Sequence, residues 1–284
     1  MILSYKMERD KITITLHCDI IKRIDETVDG EKIRNRSHAI EYLLWQSLKS
    51  KISKAYILAG GQGVKMKPFT EELPKPLLPI HGKPLLEYQI ELLRSNEIRE
   101  IYILIGHLGE KIQYYFGDGT RFGININYLS QPKAEIGTGH ALYLARYIFT
   151  DAPFLTLYGD MLININLKDF IEHHLEGNTL ATIALTSTKY PSPYGVAGLS
   201  GSKIANFTEK PAEKEAHSHV ISAGLFCFNP KIFERFSSKK NFALERHVFP
   251  KLASEGQLGG YLFEGKWFDI GTPEIYAKAI REWG

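Results

Sequence analysis

From residue 55 onward the chain alternates short apolar runs with amphipathic stretches of helical period, and this alternation limits the folds open to it. Five runs have the length and apolar content of buried strands: residues 55–59, 101–105, 154–158, 180–185 and 222–228. Strands separated by helices pair mainly in parallel, and helices then cover the sheet. The sequence therefore predicts an α/β fold with a mixed, mostly parallel Rossmann-like sheet. Ligands of such sheets bind at the carboxyl ends of the strands, so the chemistry is expected there.

The first 50 residues have a different texture and predict a small domain that precedes a larger one at 54–284. Residues 11–17 alternate polar and apolar side chains, as a short amphipathic strand does. Two helices follow, and Asp19 and Ser37 are their predicted N-caps. Because one strand cannot pair with itself and so short a piece has little core, this domain is expected to dimerise.

The strand, helix, helix pattern resembles the ribbon-helix-helix family, in which two chains pair their strands and outward side chains enter the DNA major groove. The resemblance covers residues 7–50 and implies a homodimer with Lys11, Thr13 and Thr15 as DNA readers and a phosphate contact near Ser37. Phosphate neutralisation needs clustered cations, yet residues 1–50 hold nine Lys or Arg against eight Asp or Glu. Two interpretations therefore stay open: a DNA-binding dimer, or a domain that only dimerises.

A glycine-rich turn follows the first apolar run. Residues 58–63 read Leu-Ala-Gly-Gly-Gln-Gly, and residues 74–79 read Pro-Lys-Pro-Leu-Leu-Pro around Lys75. Glycines let backbone amides approach phosphate oxygens, lysines supply positive charge, and flanking prolines fix the backbone around Lys75. Ordinary Rossmann and P-loop sites lack this combination. It indicates a binding site for a triphosphate.

Two acidic motifs lie far apart in the sequence. Asp160 comes just after the apolar run at 154–158, and Asp269 lies in the segment Trp-Phe-Asp-Ile-Gly-Thr-Pro at 267–273. Mg²⁺ prefers a few carboxylates together with phosphate oxygens and water. If the fold brings the two aspartates together beside a triphosphate, they predict a magnesium site.

Together these motifs resemble the nucleotidylyltransferases that activate sugar 1-phosphates, whose opening motif is Leu-Ala-Gly-Gly-x-Gly-Thr-Arg-Leu followed by Pro-Lys-Pro. The resemblance covers residues 54–284 and implies Mg²⁺-dependent transfer of a nucleotidyl group from a nucleoside triphosphate to a sugar 1-phosphate, with release of pyrophosphate. It implies Lys65, Lys75 and Asp160 as catalytic residues, and Asp160 and Asp269 as metal ligands. Where the family has Thr-Arg this chain has Val64-Lys65, and lysine lacks the bidentate fork of arginine, so slower chemistry is expected.

The same resemblance assigns the substrate-binding residues. It places the nucleotide on Leu58, Ala59, Gly60, Gly61, Gly63, Gln131, Gly137 and Thr138, and the sugar phosphate on Gly195, Glu209, Lys210 and Ser222. A glutamine amide can pair with uracil or thymine, which favours UTP or dTTP. Residues 101–128 also resemble mannose- and heptose-phosphate guanylyltransferases, so GTP stays the alternative. The family usually has asparagine at the position of Ser222, which leaves the sugar open.

Composition excludes several classes. No apolar run approaches the roughly 20 residues of a membrane-spanning helix, and no signal peptide is recognisable, so a cytoplasmic protein without a membrane partner is expected. Cys18 and Cys227 lack metal-ligand spacing and are expected to be buried. The rival hypothesis is a DNA-binding regulator that senses a nucleotide sugar, because the loop arginine is replaced. Both aspartates and both phosphate-binding lysines favour the enzyme.

Overall fold

The computed structural model describes residues 12–48, 52–131, 137–236 and 242–284. The chain divides into two compact units, Met1–Ser50 and Lys51–Gly284. In the first unit two helices pack on each other, α1 (Cys18–Glu26) and α2 (Arg36–Leu48). The turn between them is ordered by Asp29, whose carboxylate accepts three backbone N–H bonds of 2.8 to 2.9 Å. A bidentate ion pair at 2.7 Å between Arg36 and Asp25 joins the two helices.

Both predicted N-caps of the first unit were wrong. Asp19 lies inside the first turn of α1. Its negative charge there interacts favourably with the helix dipole, but its side chain does not cap the helix. Asn35 accepts the N–H of His38 at 2.9 Å and so takes the capping role predicted for Ser37, because α2 begins two residues earlier than expected. The prediction that Cys18 is buried was also wrong, since it begins α1 and is exposed, whereas Cys227 is buried as expected.

Residues 12–17, the described part of the segment before α1, form no strand in the single chain. Residues 12–17 pair with no other part of the chain that the structure describes, and Ile12 and Ile14 are 73% and 48% exposed. Thr13 and Thr15 are exposed too. Lys11, the third predicted DNA reader, lies outside the described residues. Because a ribbon needs a strand from each of two chains, the pairing stays a prediction.

The second unit contains thirteen described strands and six described helices. The strands are β1 (Lys54–Ala59), β2 (Pro79–Ile80), β3 (Lys83–Pro84), β4 (Glu100–Ile105), β5 (Asn125–Ser130), β6 (Phe154–Tyr158), β7 (Met161–Ile163), β8 (Ala181–Ser187), β9 (Gly195–Ser200), β10 (Lys203–Glu209), β11 (Val220–Phe228), β12 (Leu258–Leu262) and β13 (Trp267–Asp269). The helices are α3 (Leu85–Ser95), α4 (Gly109–Phe116), α5 (Thr138–Tyr143), α6 (Leu167–Gly177), α7 (Phe249–Ser254) and α8 (Pro273–Glu282).

Nine of these strands form one mixed sheet, in the order β5-β4-β1-β6-β11-β8-β12-β10-β9. The pairings make seven of the nine run in one direction, and only β10 and β11 are reversed within the described sheet. The predicted mixed, mostly parallel sheet is thereby confirmed. Two small sheets accompany it, and one of them pairs β7 with β13.

Both faces of the large sheet are buried, as expected for a sheet covered by helices. Neighbouring residues of β1 belong to different clusters, with Tyr56 in one and Ile57 in the other. The buried hydroxyl of Tyr56 donates to the carbonyl of Ala141 at 3.1 Å and so ties α5 to the sheet. None of the helices in the described ranges combines the length and apolar character that a bilayer span requires.

Candidate active site

The carboxyl ends of the parallel strands meet at one edge of the sheet, and glycines there allow the backbones to approach closely. A Cβ on Gly106, after β4, would lie 2.4 Å from the carbonyl oxygen of Gly60, after β1. A Cβ on Gly60 would lie 2.1 Å from Oε1 of Gln131. Because neither side chain exists, Gln131 reaches from the end of β5 across to the glycine-rich loop. Its backbone N–H donates to Ile105 at 2.7 Å.

A cavity of about 280 Å³ opens beside this loop. It gathers most of the predicted nucleotide-binding residues with Lys75 and Asp160; those nucleotide-binding residues are Leu58, Ala59, Gly60, Gly61, Gln131 and Thr138. Three residues predicted to contact the nucleotide, Gly63, Lys65 and Gly137, are not among its lining residues. Gly63 adopts a φ of 64° and turns the loop, and its carbonyl accepts the hydroxyl of Thr70 at 2.8 Å. Lys65 lies two residues after Gly63, and its side chain is exposed.

A second cavity, of about 440 Å³, lies next to the first. Its lining includes Asp269, the predicted sugar-phosphate residues Gly195, Glu209, Lys210 and Ser222, and also Gly137, which was predicted for the nucleotide. The two cavities share three lining residues, Thr138, Tyr158 and Asp160. A ligand in each would therefore meet the other near Asp160.

The two predicted metal ligands come together through the small sheet of β7 and β13. Asp160 directly precedes β7, and Asp269 pairs with Met161 at the start of that strand. The N–H of Ile270 donates to the carbonyl of Asp160 at 2.8 Å. The carboxylate of Asp160 also accepts the ammonium of Lys75 at 2.8 Å, and the side chain of Lys75 is only 15% exposed. Residues separated by more than one hundred positions thus form one charged centre.

The electrostatics of this centre act most strongly on Asp269. Burial raises the pKa of Asp269 to about 6, and the neighbouring charge of Asp160 adds to the rise. Lys75, Lys210 and Lys65 oppose it. Lys65 therefore acts on the centre although it does not line either cavity.

The donor set suits Mg²⁺ bound together with a phosphate ligand. Among the described residues no three His, Cys, Asp or Glu side chains converge, so the protein alone does not form a closed metal cage there. Mg²⁺ usually takes only one or two carboxylates and completes its shell with phosphate oxygens and water. Asp160 and Asp269 provide two, and the pKa of Asp269, which burial and then the charge of Asp160 raise, is one that a bound cation would lower.

The remaining predicted pair, Glu209 and Lys210, stands at the end of β10. Lys210 has a positive φ of 49° and its N–H donates to the carbonyl of Tyr194 at 3.0 Å, so the backbone turns sharply into the cavity. Its ammonium lies 3.4 Å from the carboxylate of Glu209. Burial first, and the charge of Glu245 second, raise the pKa of Glu209. A Cβ on Gly195 opposite would lie 2.3 Å from the ring of Phe207, so glycine is required there.

Sequence reasoning missed four polar residues of this region, one of which is Arg246 in the lining of the larger cavity. Tyr158 lines both cavities, Glu245 lines the larger one, and Gln89 lies beneath the turn that carries Asp160. The amide of Gln89 donates to the carbonyls of Tyr158 at 2.9 Å and Met161 at 2.8 Å. Tyr158 borders the Gly-Asp motif and could have been found from that position. Glu245 and Gln89 lie in amphipathic helical stretches and carry no local signal.

Comparison with known proteins places this geometry in context. The family model "Nucleotidyl transferase" matches residues 54–283. A UTP–glucose-1-phosphate uridylyltransferase of Synechocystis sp. is 37% identical over 244 residues, which are 80% of this chain and 62% of the relative. The mannose-1-phosphate guanylyltransferase catalytic subunit beta of Danio rerio is 33% identical over 81% of this chain and 66% of its own. The chain therefore spans just under two thirds of the length of these relatives.

Solved structures agree in fold. A Bacillus anthracis structure assigned as a glucose-1-phosphate thymidylyltransferase superposes with a TM-score of 0.72 at 26% identity, covering 80% of this chain and 94% of its own. A UDP-glucose pyrophosphorylase complexed with UDP-glucose superposes with a TM-score of 0.71 at 24% identity, covering 82% and 98%.

Proposed function

The chain belongs to the nucleotidyl transferase family, and from this membership we propose that it transfers a nucleotidyl group from a nucleoside triphosphate to a sugar 1-phosphate and releases pyrophosphate. The observation that carries the proposal is the meeting of two cavities at Asp160. The smaller cavity takes the triphosphate and the larger one the sugar phosphate. Their shared wall is where the two phosphates must react.

The proposed reaction is a direct displacement. An oxygen of the sugar phosphate attacks the α-phosphorus and forms the new P–O bond, while the bond to the β-phosphate breaks and its electron pair leaves with pyrophosphate. A phosphate monoester is mostly ionised near neutral pH, so no general base is needed. Lys75 and Lys65 hold the triphosphate, and Lys210 holds the incoming phosphate. Catalysis then rests on alignment and on neutralisation of charge.

Asp160 and Asp269 are the residues that would hold Mg²⁺ in this proposal. When bound, the ion supplies neutralisation of the phosphate charge. Before it binds, Lys75 pairs with Asp160 at 2.8 Å, which keeps that carboxylate oriented toward the shared wall. Because Lys75 contacts the carboxylate of Asp160, the phosphate that Lys75 would hold and the metal ion that Asp160 would hold lie side by side. We therefore expect the phosphate and the metal ion to bind together.

For the base we propose uracil or thymine, hence UTP or dTTP. The side chain of Gln131 lies over Gly60 at the rim of the smaller cavity, where an amide can donate to one base carbonyl and accept an imide N–H. The Synechocystis relative is named a uridylyltransferase. GTP is the alternative, since the Danio relative is named a guanylyltransferase. These substrates are metabolites of the cytoplasm, which is therefore the proposed compartment.

A grid of substrates tests the proposal. Pyrophosphate release is measured with Mg²⁺ for UTP, dTTP, GTP, CTP and ATP against glucose, N-acetylglucosamine, mannose and heptose 1-phosphates, with Asp160→Ala as the inactive control. We expect a pair containing UTP or dTTP to turn over in the parent protein and not in the variant. Turnover only with GTP would select the guanylyltransferase alternative. Silence with tight nucleotide binding would favour the regulator that senses a nucleotide sugar.

For residues 7–50 we propose a homodimer of ribbon-helix-helix type. Apolar side chains of this unit are exposed in the single chain, among them Ile12, Ile14, Ile20 and Leu44. Sedimentation of the full chain should give a dimer, and Ile14→Glu should convert it to a monomer. A monomeric parent protein would contradict the proposal. Enrichment of particular sequences from a random-sequence duplex pool, lost in Thr13→Ala with Thr15→Ala, would distinguish a DNA-binding dimer from a domain that only dimerises.

A further inference from the structure

The floor of the larger cavity carries an acidic residue that the proposed mechanism does not use. Glu245 lines that cavity, and one of its carboxylate oxygens accepts the hydroxyl of Thr138 at 2.6 Å. The other oxygen accepts the hydroxyl of Tyr158. Thr138 in turn accepts the N–H of Leu244 at 3.0 Å, which fixes its hydroxyl as a donor toward Glu245. The carboxylate is therefore held in one orientation by two residues of the shared wall.

Glu245 has a second carboxylate as its neighbour. Glu209 lines the same cavity, and the charge of Glu245 contributes to the raised pKa of Glu209, after burial. A carboxylate offers about four lone-pair positions. Two hydroxyls occupy one position on each oxygen of Glu245, so acceptor capacity is left over on the cavity side. Both acids accept hydrogen bonds and neither donates them when ionised. Arg246 also lines this cavity and lowers the pKa of Glu209, which offsets part of the acidic charge. The acceptor positions that remain suit a ligand with hydroxyl donors.

The cavity is thus polarised. At one end the charges of Lys75, Lys210 and Lys65 act on Asp269, and this end suits a phosphate with its metal ion. At the other end Glu209 and Glu245 line the cavity together with Arg246, and the ammonium of Lys210 lies 3.4 Å from the carboxylate of Glu209. A hexose 1-phosphate has the same polarity, with anionic oxygens at C1 and hydroxyl donors on the rest of the ring.

We infer that Glu245 is a specificity-determining residue, which accepts a hydrogen bond from one ring hydroxyl of the sugar 1-phosphate. This inference rests on the proposed function and adds which residue of the larger cavity recognises the sugar ring. Glu245 is partly buried, and an acceptor shielded from water that loses its donor is left unsatisfied; hydrogen bonds to charged groups are also stronger than neutral ones. Sugars that lack that hydroxyl should consequently be rejected.

The test combines a variant with altered substrates. Glu245→Gln keeps the shape of the side chain and can still bond to both Thr138 and Tyr158, because hydroxyl groups accept as well as donate. It replaces a charged acceptor by a neutral amide. Glu234→Gln makes the same chemical change on an exposed residue outside both cavities and serves as the matched control.

Calorimetry measures binding of glucose 1-phosphate, mannose 1-phosphate and their monodeoxy analogues, with Mg²⁺ and a non-reactive methylene analogue of UTP present. We expect one monodeoxy analogue of the better-bound sugar to bind the parent protein and Glu234→Gln roughly tenfold to a hundredfold more weakly. In Glu245→Gln the same analogue should lose less than about threefold, while the other deoxy analogues behave alike in all three proteins. Affinity for the UTP analogue should be unchanged, which a merely structural defect would not allow.

Equal losses for every deoxy analogue in the parent protein and in Glu245→Gln would overturn the inference. Failure of the proposed function would give a different result. The sugar phosphate would bind and one deoxy analogue would lose affinity as expected, but the substrate grid would show no turnover. If none of the four sugar 1-phosphates of the substrate grid binds the parent protein, both the inference and the proposed function are wrong.

Discussion

Lys65 stands where the nucleotidylyltransferase pattern has an arginine, and its charge still acts on Asp269. An ammonium is a point charge, whereas a guanidinium forms two parallel bonds to phosphate oxygens. Lys65→Arg is therefore expected to raise kcat by about fivefold to tenfold, the factor that one additional charge-assisted hydrogen bond supplies. Steady-state kinetics with the best substrate pair checks this, with Lys67→Arg, another exposed lysine of the loop, as control. An unchanged or lower kcat would show that Lys65 does not contact the leaving group.

Asp269 gives the activity a pH dependence. Burial and the charge of Asp160 raise its pKa to about 6, so in the absence of metal the carboxylate takes up a proton as the pH falls through 6. Protons and Mg²⁺ compete for the ionised ligand. We expect kcat/KM to fall about tenfold per pH unit below the apparent pKa, and a higher Mg²⁺ concentration to move that pKa downward. A pH–rate profile at two Mg²⁺ concentrations that stays flat to pH 5 would contradict this.

The same pKa makes a prediction for stability. Native Asp269 binds a proton more tightly than in the unfolded chain, where its pKa is near 3.8. Its contribution to stability is therefore complete below pH 3.8 and is lost as the pH rises through 6. Without metal, Asp269→Asn should raise Tm at pH 7.5 by roughly 2–6 °C while activity disappears, and the gain should shrink toward pH 4. A lower Tm at pH 7.5, measured by scanning calorimetry, would refute it.

At the scale of elements, α3 connects two parts of the site. It begins soon after the segment of Lys75, and from its middle Gln89 holds both sides of the Gly159-Asp160 turn. Gln89 is 2% exposed, and its Oε1 has no hydrogen-bond partner among the described residues. The side-chain amide of Gln89 therefore donates hydrogen bonds to two backbone carbonyls at the turn, those of Tyr158 and Met161.

Gln89→Met tests this connection. Two buried carbonyls would lose their donors, at roughly 1–3 kcal/mol each, partly offset because the unpartnered Oε1 is removed as well. We expect a lower midpoint in urea unfolding together with a lower kcat, since the Asp160 turn loosens. Gln113→Met, on the exposed face of α4, is the matched control. Loss of stability with kcat intact would limit Gln89 to a structural role.

Elements with a continuous apolar run were predictable from the sequence, and the five predicted runs became β1, β4, β6, β8 and β11. The others lacked that signal. In β10 exposed and buried residues do not alternate, and β12 contains two glycines. Strands β7 and β13 have three residues each and are defined by their pairing. Such strands exist because of contacts that only the assembled sheet provides.

At the scale of the whole molecule, the sequence motifs identified the charged centre but not its neighbours. Asp160, Asp269 and Lys75 belong to distinctive sequence motifs, so we could expect them to converge in the fold. Glu245 enters the larger cavity only because the segment after residue 241 packs against the segment that begins at Gly137, where a Cβ would lie 2.2 Å from the carbonyl of Phe242. No local pattern records that contact.

In the proposed function, two adjoining cavities bring the substrates together and an oxygen of the sugar phosphate becomes the bridge to the α-phosphorus. The most direct test uses the best sugar 1-phosphate with ¹⁸O in its phosphate group, the matching nucleoside triphosphate, Mg²⁺ and the full chain, with the products analysed by mass spectrometry. We expect a nucleotide sugar that retains all of the label and pyrophosphate that contains none. Label in the pyrophosphate, or pyrophosphate formed without any nucleotide sugar, would refute the proposed displacement.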